Sequence, residues 1–195
     1  MEAATGDASL IQVVIPAIAG LVGVLVGGWI TTRSQKIERQ HQRIREQLAN
    51  FYSVLLGIRS QIRGKSEVRL KLRTITQKSQ QAALIQAQDD PRITSTKQAE
   101  FRQLINYDNW QLQEELVPSY REMLAHVTKN MWLAEPSTLE HYDALAEYVE
   151  LWNRALEKAI PDDVVLQLDH DEKKLYPFYD DLASQFKRLR EELKK

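Results

Sequence analysis

At 195 residues the chain has room for one domain of ordinary size plus a short additional segment. It contains no cysteine, which excludes disulfides, thiolate metal sites and thiol catalysis. The net charge of −1 hides an uneven distribution, because residues 33–78 carry 12 basic and 3 acidic side chains, whereas residues 79–195 carry 14 basic and 22 acidic ones. A basic segment therefore precedes an acidic body.

The first long feature is an apolar run of 21 residues, Leu10 to Ile30, without a charged residue. A helix of this length spans roughly 30 Å, the thickness of the hydrocarbon core of a bilayer. A cleavable signal peptide would have a basic n-region and a shorter apolar core, whereas residues 1–9 carry only acidic charge. The run therefore predicts a transmembrane helix over residues 10–30, with Trp29 at the membrane interface.

Basic residues flank this run on one side only. Arg33, Lys36 and Arg39 follow it, and no lysine or arginine precedes it. The positive-inside rule then predicts that residues 1–9 form a short extracytoplasmic tail and that the chain after the span lies in the cytoplasm. The same three side chains are expected near the lipid headgroups, so the lipid bilayer is the first predicted partner.

A heptad pattern continues from the apolar run into a polar segment, residues 31–63, and predicts one unbroken helix. Small residues at Ala19, Gly23 and Gly27 are typical of closely packed transmembrane helices. The predicted helix-association face consists of Ala19, Gly20, Gly23, Gly27, Ile30, Ile37, Ile44 and Leu48.

Two interpretations of this face remain open. Two copies of the chain could pair in parallel as a homo-oligomer, with the polar residues Ser34 and His41 specifying the register. Alternatively, the glycines could face lipid or another protein, and the later residues could pack within the chain's own bundle. The apolar stripe widens after Phe51, which favours intramolecular packing of residues 48–62.

Residues 64–195 are predicted to form an all-α cytoplasmic domain of about four to five further helices, because no segment shows the period-two alternation of a strand. Gly64 is expected to end the first helix as a left-handed cap. A second helix over residues 66–87 then carries an apolar stripe, which consists of Val68, Leu72, Ile75 and Ala82.

Further helix boundaries are predicted from prolines and caps. One helix is expected over residues 95–117 and another from Pro118. Ser137 and Glu140 form the spacing of a capping box before a helix that extends to Ile160. A last helix is expected to open near residues 169–171, and Pro177 either kinks it or marks its true start.

Patterns of catalytic or metal-binding residues are weak in this chain. The single Glu-x-x-His match, Glu38 to His41, is half of what a di-iron bundle needs. Glu122 and His126 are four residues apart, close enough to hydrogen-bond, but they lack a nucleophile, a metal or a third group. We therefore predict no catalytic, cofactor-binding or metal-binding residues, and no enzyme.

Two further segments attract attention. Basic residues recur between apolar ones at Arg59, Arg63, Lys65, Arg69, Lys71 and Arg73. Because the rest of the body is acidic, this face is expected to meet the protein's own acidic surface rather than nucleic acid. Met131 and Trp132 are expected to anchor a turn in the core.

These patterns predict a single-pass, membrane-anchored helical interaction module, namely a scaffold, adaptor or accessory subunit with at least one protein partner. Self-association through the glycine face and the heptad seam is one form of this hypothesis. A small oligomeric membrane effector or pore-forming protein is an alternative, and a membrane-tethered helical enzyme is a second one. The pore hypothesis is weakened by the absence of ionisable residues from the span.

Overall fold

The computed structural model describes residues 33, 35–86, 91–168 and 171–194, and over these residues the protein is all-helical without a strand. The chain divides into two compact units, Met1–Arg45 and Glu46–Lys195. The predicted transmembrane helix, residues 10–30, lies outside the described residues. Among the helices that are described, none is long and apolar enough to cross a membrane.

Helical backbone covers residues 35–47, and within the first unit Arg45 forms an exposed ion pair with Glu38 at 3.2 Å. The second unit contains a π-helical turn Leu48–Tyr52, α1 Ser53–Gln86, α2 Pro91–Gln111, a second π-helical turn Leu112–Leu116, α3 Val117–Lys129, a 3-10 turn Met131–Leu133, α4 Pro136–Leu139, α5 Tyr142–Leu156, α6 Asp162–Gln167, a 3-10 turn Glu172–Leu175 and α7 Tyr176–Glu192.

The core of the second unit lies between four helical segments: the first π turn with the beginning of α1, α3, α5 and α7. Its fully buried large side chains are Phe51, Tyr52, Leu55, Ile62, Met123, Leu133, Leu145, Leu175, Phe178, Tyr179, Leu182 and Leu189. The predicted bundle packing of residues 48–62 is therefore confirmed. Each such side chain contributes about 1.5–3 kcal/mol on burial.

The first π turn places two adjacent aromatic side chains in this core. The Ser53 N–H donates to the Leu48 carbonyl, one residue further back than in an α-helix. Phe51 and Tyr52 are consequently both buried, with ring centroids 5.0 Å apart. Such wide turns interrupt the 3.6-residue period, so the heptad pattern of the sequence does not indicate this one.

The prediction that Gly64 ends the first helix is wrong, because α1 continues through it to Gln86. No glycine of the described chain has a positive φ, so Gly64 does not act as a left-handed cap. The helix is held on both sides of this position. Ile62 is buried in the core before it, and Lys65 pairs with Glu115 after it.

The predicted helix start at Pro118 lies one residue after the start of α3 at Val117, but no break precedes it, because helical backbone runs without interruption from Pro91 to Lys129. Proline has no N–H to donate to the preceding turn. The second π turn lies immediately before it, with the Val117 N–H donating to the Leu112 carbonyl. Next to the proline, the Ser119 hydroxyl donates to the Glu115 carbonyl at 2.7 Å.

The predicted capping box of Ser137 and Glu140 does not form. Pro136 starts the short helix α4, and no side chain caps it. The Ser137 hydroxyl instead donates to Asp181 Oδ1 of α7 at 2.8 Å. A long-range contact has therefore replaced a local one, and the main helix starts later, at Tyr142.

Backbone conformation explains where α5 ends and where α7 begins. The helix predicted to extend to Ile160 ends at Leu156, because Lys158 adopts a left-handed φ of 53° and the Ala159 N–H donates to the Arg154 carbonyl at 2.9 Å. This is a Schellman-type ending. Pro177 lies in the first turn of α7, so of the two predicted alternatives it marks the true start of the helix.

Candidate interaction surface

The later half of α1, residues 63–86, and α2 together form a hairpin arm. Among the side chains described in this arm, none is buried. Charged groups join α1 to α2 and to the π turn that follows it, with Arg69 Nε 3.5 Å from Asp108 Oδ2 of α2 and Lys65 Nζ 3.1 Å from Glu115 Oε2 of the second π turn. Two ion pairs, Lys65 with Glu115 and Arg69 with Asp108, therefore help to hold the arm together, and we call them the polar seam.

Within the polar seam, the environment of Glu115 favours its charged form. Hydrogen bonds from Lys65 and Gln111 lower the pKa of the Glu115 carboxyl, because they stabilise its charged form. Phe101 and Leu104 of α2 are half-buried beside these ion pairs. Lys65 and Arg69 thus occupy the side of α1 that faces α2, and the neighbouring side of α1 is left for other residues.

That neighbouring side carries the apolar stripe predicted from the sequence, called here the α1 stripe: Val68, Leu72, Ile75 and Ala82. Its side chains are exposed, Val68 by 56%, Leu72 by 41% and Ile75 by 64%. Ala82 is exposed as well. The stripe has the spacing of a buried helix face, yet no described residue covers it.

The arm concentrates exposed apolar side chains more than any other described part of the protein. These are Val68, Leu70, Leu72, Ile75, Ile85, Ile105, Tyr107 and Trp110. The rings of Tyr107 and Trp110 lie against each other, with centroids 5.5 Å apart. Where several such side chains share one side of a helix, as Val68, Leu72 and Ile75 do, exposed apolar surface typically marks a site of interaction.

The basic residues of α1 fall into two groups. Four of them have partners, and for three of these, Arg63, Lys65 and Arg69, the partner is acidic as the sequence predicted. Arg59 stacks over the Tyr179 ring at 4.5 Å and donates to the Tyr179 carbonyl, and Arg63 pairs with Glu67 at 2.7 Å. Lys65 and Arg69 form the polar seam.

The second group contains Lys71, Arg73 and Lys78, which form no ion pair with any residue the structure describes. All three are exposed. Arg73 also lines a groove of about 380 Å³ between α1 and α2, together with Phe101 and Ile105. The expectation that this basic face meets the protein's own acidic surface thus holds for Arg63, Lys65 and Arg69, whereas Arg59 contacts Tyr179, and Lys71 and Arg73 form no ion pair with a described residue.

Met131 and Trp132 do not anchor the core, contrary to the prediction. Trp132 is 65% exposed, and Met131 is exposed as well. Leu133 is the buried residue of this turn, and its carbonyl accepts a hydrogen bond from Gln47 Nε2 at 2.9 Å. The pattern of residues 131–133 does not distinguish these roles, because all three side chains are apolar.

A buried polar network fixes the chain after this turn. Tyr52 OH lies 3.1 Å from Thr138 Oγ1 and accepts a hydrogen bond from the Glu135 N–H at 3.0 Å. Thr138 Oγ1 donates to Asp181 Oδ2 at 2.6 Å, and Asp181 also accepts from Ser137. The network links the first π turn, α4 and α7, and it serves packing rather than chemistry, since all its partners are within the protein.

A second buried cluster consists of Tyr120, Tyr148 and Tyr179 beside Glu172. The rings of Tyr120 and Tyr148 lie 4.9 Å apart, and Tyr179 OH donates to Glu172 Oε1 at 3.3 Å. Burial raises the pKa of all three phenols, so they stay protonated at neutral pH. A cluster of neutral phenols next to one carboxylate supplies no activated nucleophile.

The hydrogen bond that the spacing of Glu122 and His126 allows does not form. His126 Nε2 lies 2.9 Å from the Asn50 carbonyl, and its ring faces Phe51 rather than Glu122. Across the described part of the chain, no group of three or more histidine, aspartate or glutamate side chains is placed to hold a metal ion.

Only some of the residues predicted for the helix-association face and the membrane interface belong to the described part of the chain. Ala19, Gly20, Gly23, Gly27, Trp29 and Ile30 lie outside the described residues. Ile37 is exposed, Ile44 is buried and Leu48 is half-buried, so the seam changes environment along its length. Arg33, Lys36 and Arg39 are all exposed.

Comparison with known proteins adds no functional assignment. No family model, no curated protein and no solved structure matches this chain. The function is therefore inferred from the contacts, exposure and charge of the described residues and from the sequence pattern before them.

Proposed function

We propose that the protein is a single-pass, membrane-anchored helical interaction module whose cytoplasmic body recruits a protein partner. The observation that carries this proposal is the exposed α1 stripe. Three large aliphatic side chains, Val68, Leu72 and Ile75, face away from the protein over two turns of one helix. Their exposure is unfavourable by about 25 cal/mol for each Å² left in water, so a partner that covers them gains binding free energy.

The arm is also suited to recognition because it does not carry the core. The core closes over the beginning of α1, α3, α5 and α7 without using residues 63–86. Residues of the arm are therefore free to vary for a partner at little cost in stability. The part of the described chain outside this arm offers no comparable row of aliphatic side chains.

The membrane anchor in the proposal is supported by the sequence of residues 1–39. The uncharged run Leu10 to Ile30, the interfacial Trp29 and the basic residues Arg33, Lys36 and Arg39 favour one span with the body in the cytoplasm. The glycine face with Ala19, Gly23 and Gly27 supports self-association of the anchor. Replacing Gly23 and Gly27 by leucine should then reduce crosslinked dimers of the full chain, and unchanged dimers would remove this face from the proposal.

The topology is tested with single cysteines, since the chain has none of its own. In intact cells, a membrane-impermeant maleimide should label an Ala3→Cys variant and should label a Gln81→Cys variant only after permeabilisation. The reverse pattern would contradict the proposed orientation, and release of the chain by alkaline carbonate would contradict the anchor itself.

The recruiting surface is tested by photocrosslinking in native membranes. A photoreactive residue at Ser79, which lies between Ile75 and Ala82 on the side of the helix that carries the α1 stripe, should yield one discrete crosslinked product. The matched control is Gln81, which is also exposed but lies on another side of the same helix. Equal products from both positions, or none from Ser79, would contradict recruitment through this stripe.

A further inference from the structure

The spacing of the α1 stripe is that of a coiled-coil seam. Val68, Leu72, Ile75, Ser79 and Ala82 follow one another at steps of four, three, four and three, which are the a and d positions of a heptad. Such a seam is narrow and matches the width of one packed helix. A helix that lies in a lipid interface has a broader apolar face, usually with aromatic residues.

The open flank of this seam is basic. Lys71 and Lys78 immediately precede the a positions Leu72 and Ser79, so both occupy g positions. Both are exposed, and neither forms an ion pair in the described structure. The e positions on the other flank include Arg69, whose charge is already paired with Asp108 of α2. Two exposed lysines, one heptad apart and without an ion pair to a described residue, therefore border the stripe on its accessible side; Lys71 also lies near enough to Glu67 to help lower the pKa of that carboxyl.

A second copy of this stripe does not satisfy these lysines. In a parallel pair, the g positions Lys71 and Lys78 would oppose the e positions Thr76 and Ala83, which carry no charge. In an antiparallel pair, lysines would oppose lysines, and like charges repel. The charge pattern thus favours a different helix, one with acidic residues at the facing positions.

We propose that the α1 stripe binds one acidic amphipathic helix of a partner protein, packed alongside α1 as in a coiled coil. The aliphatic residues of the partner pack between Val68, Leu72 and Ile75, and its carboxylates face Lys71 and Lys78. The proposal rests on the proposed function, because it names the class of partner that the interaction module recruits.

The test uses the full chain in phosphatidylcholine nanodiscs with an environment-sensitive fluorophore on a Ser79→Cys variant, which has a single thiol. The probes are two synthetic three-heptad helical peptides with leucine at a and d. One carries glutamate at e and g, and the other carries lysine there. The acidic peptide should shift the emission to the blue and should bind about tenfold more tightly than the lysine peptide, since two facing charge pairs differ in sign.

Charge reversal provides the matched control. Lys71→Glu with Lys78→Glu should invert the preference between the two peptides. Lys129→Glu with Lys187→Glu makes the same change of net charge at exposed positions outside the arm and should leave the preference unchanged.

Three results would overturn the proposal: equal binding of both peptides, binding of neither, or a blue shift with phosphatidylserine vesicles in place of the acidic peptide. The last result would assign the stripe to anionic lipid. If a partner is crosslinked at Ser79 in native membranes while the acidic peptide fails to bind, the proposed function is supported and only the proposal of an acidic helix is contradicted. If there is no crosslinked partner and no peptide binding, both proposals are contradicted.

Discussion

Thr138 shows how single polar groups organise the described structure. The residue is completely buried, and its hydroxyl lies between Tyr52 and Asp181, so it joins the first π turn to α7. The sequence assigns the neighbouring Ser137 to a local capping box, because Glu140 stands at the required spacing. The local sequence pattern does not reveal that the Asp181 carboxylate, 43 residues after Thr138, accepts hydrogen bonds from the hydroxyls of Ser137 and Thr138.

Thr138→Val should destabilise the protein by about 1–3 kcal/mol, because it removes the hydroxyl while keeping the side-chain shape and leaves Asp181 and Tyr52 with fewer buried partners. Thermal unfolding of the full chain in mild detergent, followed by circular dichroism, measures the effect. Ser184→Ala, at an exposed position of α7, is the control and should change little. Equal melting temperatures for the two variants would contradict the structural role of the network.

Lys158 has the left-handed backbone that normally favours glycine, with φ at 53°. A side chain in this conformation is unfavourable by roughly 1 kcal/mol. Lys158→Gly should therefore raise the melting temperature by a few degrees, whereas Lys158→Ala should not. A lower melting temperature for the glycine variant would indicate that the lysine side chain itself holds this turn.

Buried tyrosines make stability depend on pH. Burial raises the pKa of Tyr52, Tyr120, Tyr148 and Tyr179 above the ordinary value of 10.0. In the unfolded chain these phenols ionise near pH 10, whereas in the folded protein they keep their protons, so the stabilisation is present below pH 10 and is lost as the pH rises further. Phenolate absorbance from these residues and loss of helical circular dichroism should therefore appear together in an alkaline titration. Full phenolate absorbance with an intact helical signal would contradict their burial.

At the scale of elements, the all-helical class is confirmed, and the helix boundaries are where prediction fails. The absence of period-two alternation correctly excludes strands in the described chain. Gly64 and Pro118 are both residues that often break helices, yet each lies inside a continuous helix. In the first case tertiary contacts on both sides hold the helix, and in the second a π turn accommodates the proline.

The surface of α1 illustrates a second limit of pattern reading. The apolar series Phe51, Leu55, Ile58 and Ile62 ends at Ile62, and the series Val68, Leu72 and Ile75 begins six residues later on another side of the same helix. The first set is buried and the second is exposed. Periodicity identifies an apolar face without saying what covers it. Lys65 and Arg69 continue the spacing of the first set and pair with Glu115 and Asp108, so the second set is left on the neighbouring side of the helix.

Two leucines on the same helix test this separation. Leu55→Ala should destabilise the protein by about 2–5 kcal/mol, since Leu55 is completely buried. Leu72→Ala removes the same atoms from an exposed position and should change the free energy of unfolding by less than about 0.5 kcal/mol. Chemical unfolding of both variants measures the difference. Comparable losses would mean that the α1 stripe belongs to the core, which would remove its availability to a partner.

At the scale of the whole molecule, the proposal combines a membrane anchor, a self-sufficient helical core and an arm with an uncovered apolar stripe. The core is defined by residues that are buried in the described structure, and the anchor is proposed from the sequence pattern of residues 10–39. The function of the protein is proposed from the exposed α1 stripe. In the proposed function, the exposed row of Val68, Leu72 and Ile75 is the place where a partner binds.

The most direct test of this claim measures whether the stripe is covered in its native setting. In a Ser79→Cys variant, the thiol should react slowly with maleimide in native membranes and quickly after the protein has been purified away from its partner. The thiol of a Gln81→Cys variant should react at the same rate in both preparations. Equal, fast labelling of the Ser79→Cys variant before and after purification would show that nothing covers the stripe and would contradict the proposed function.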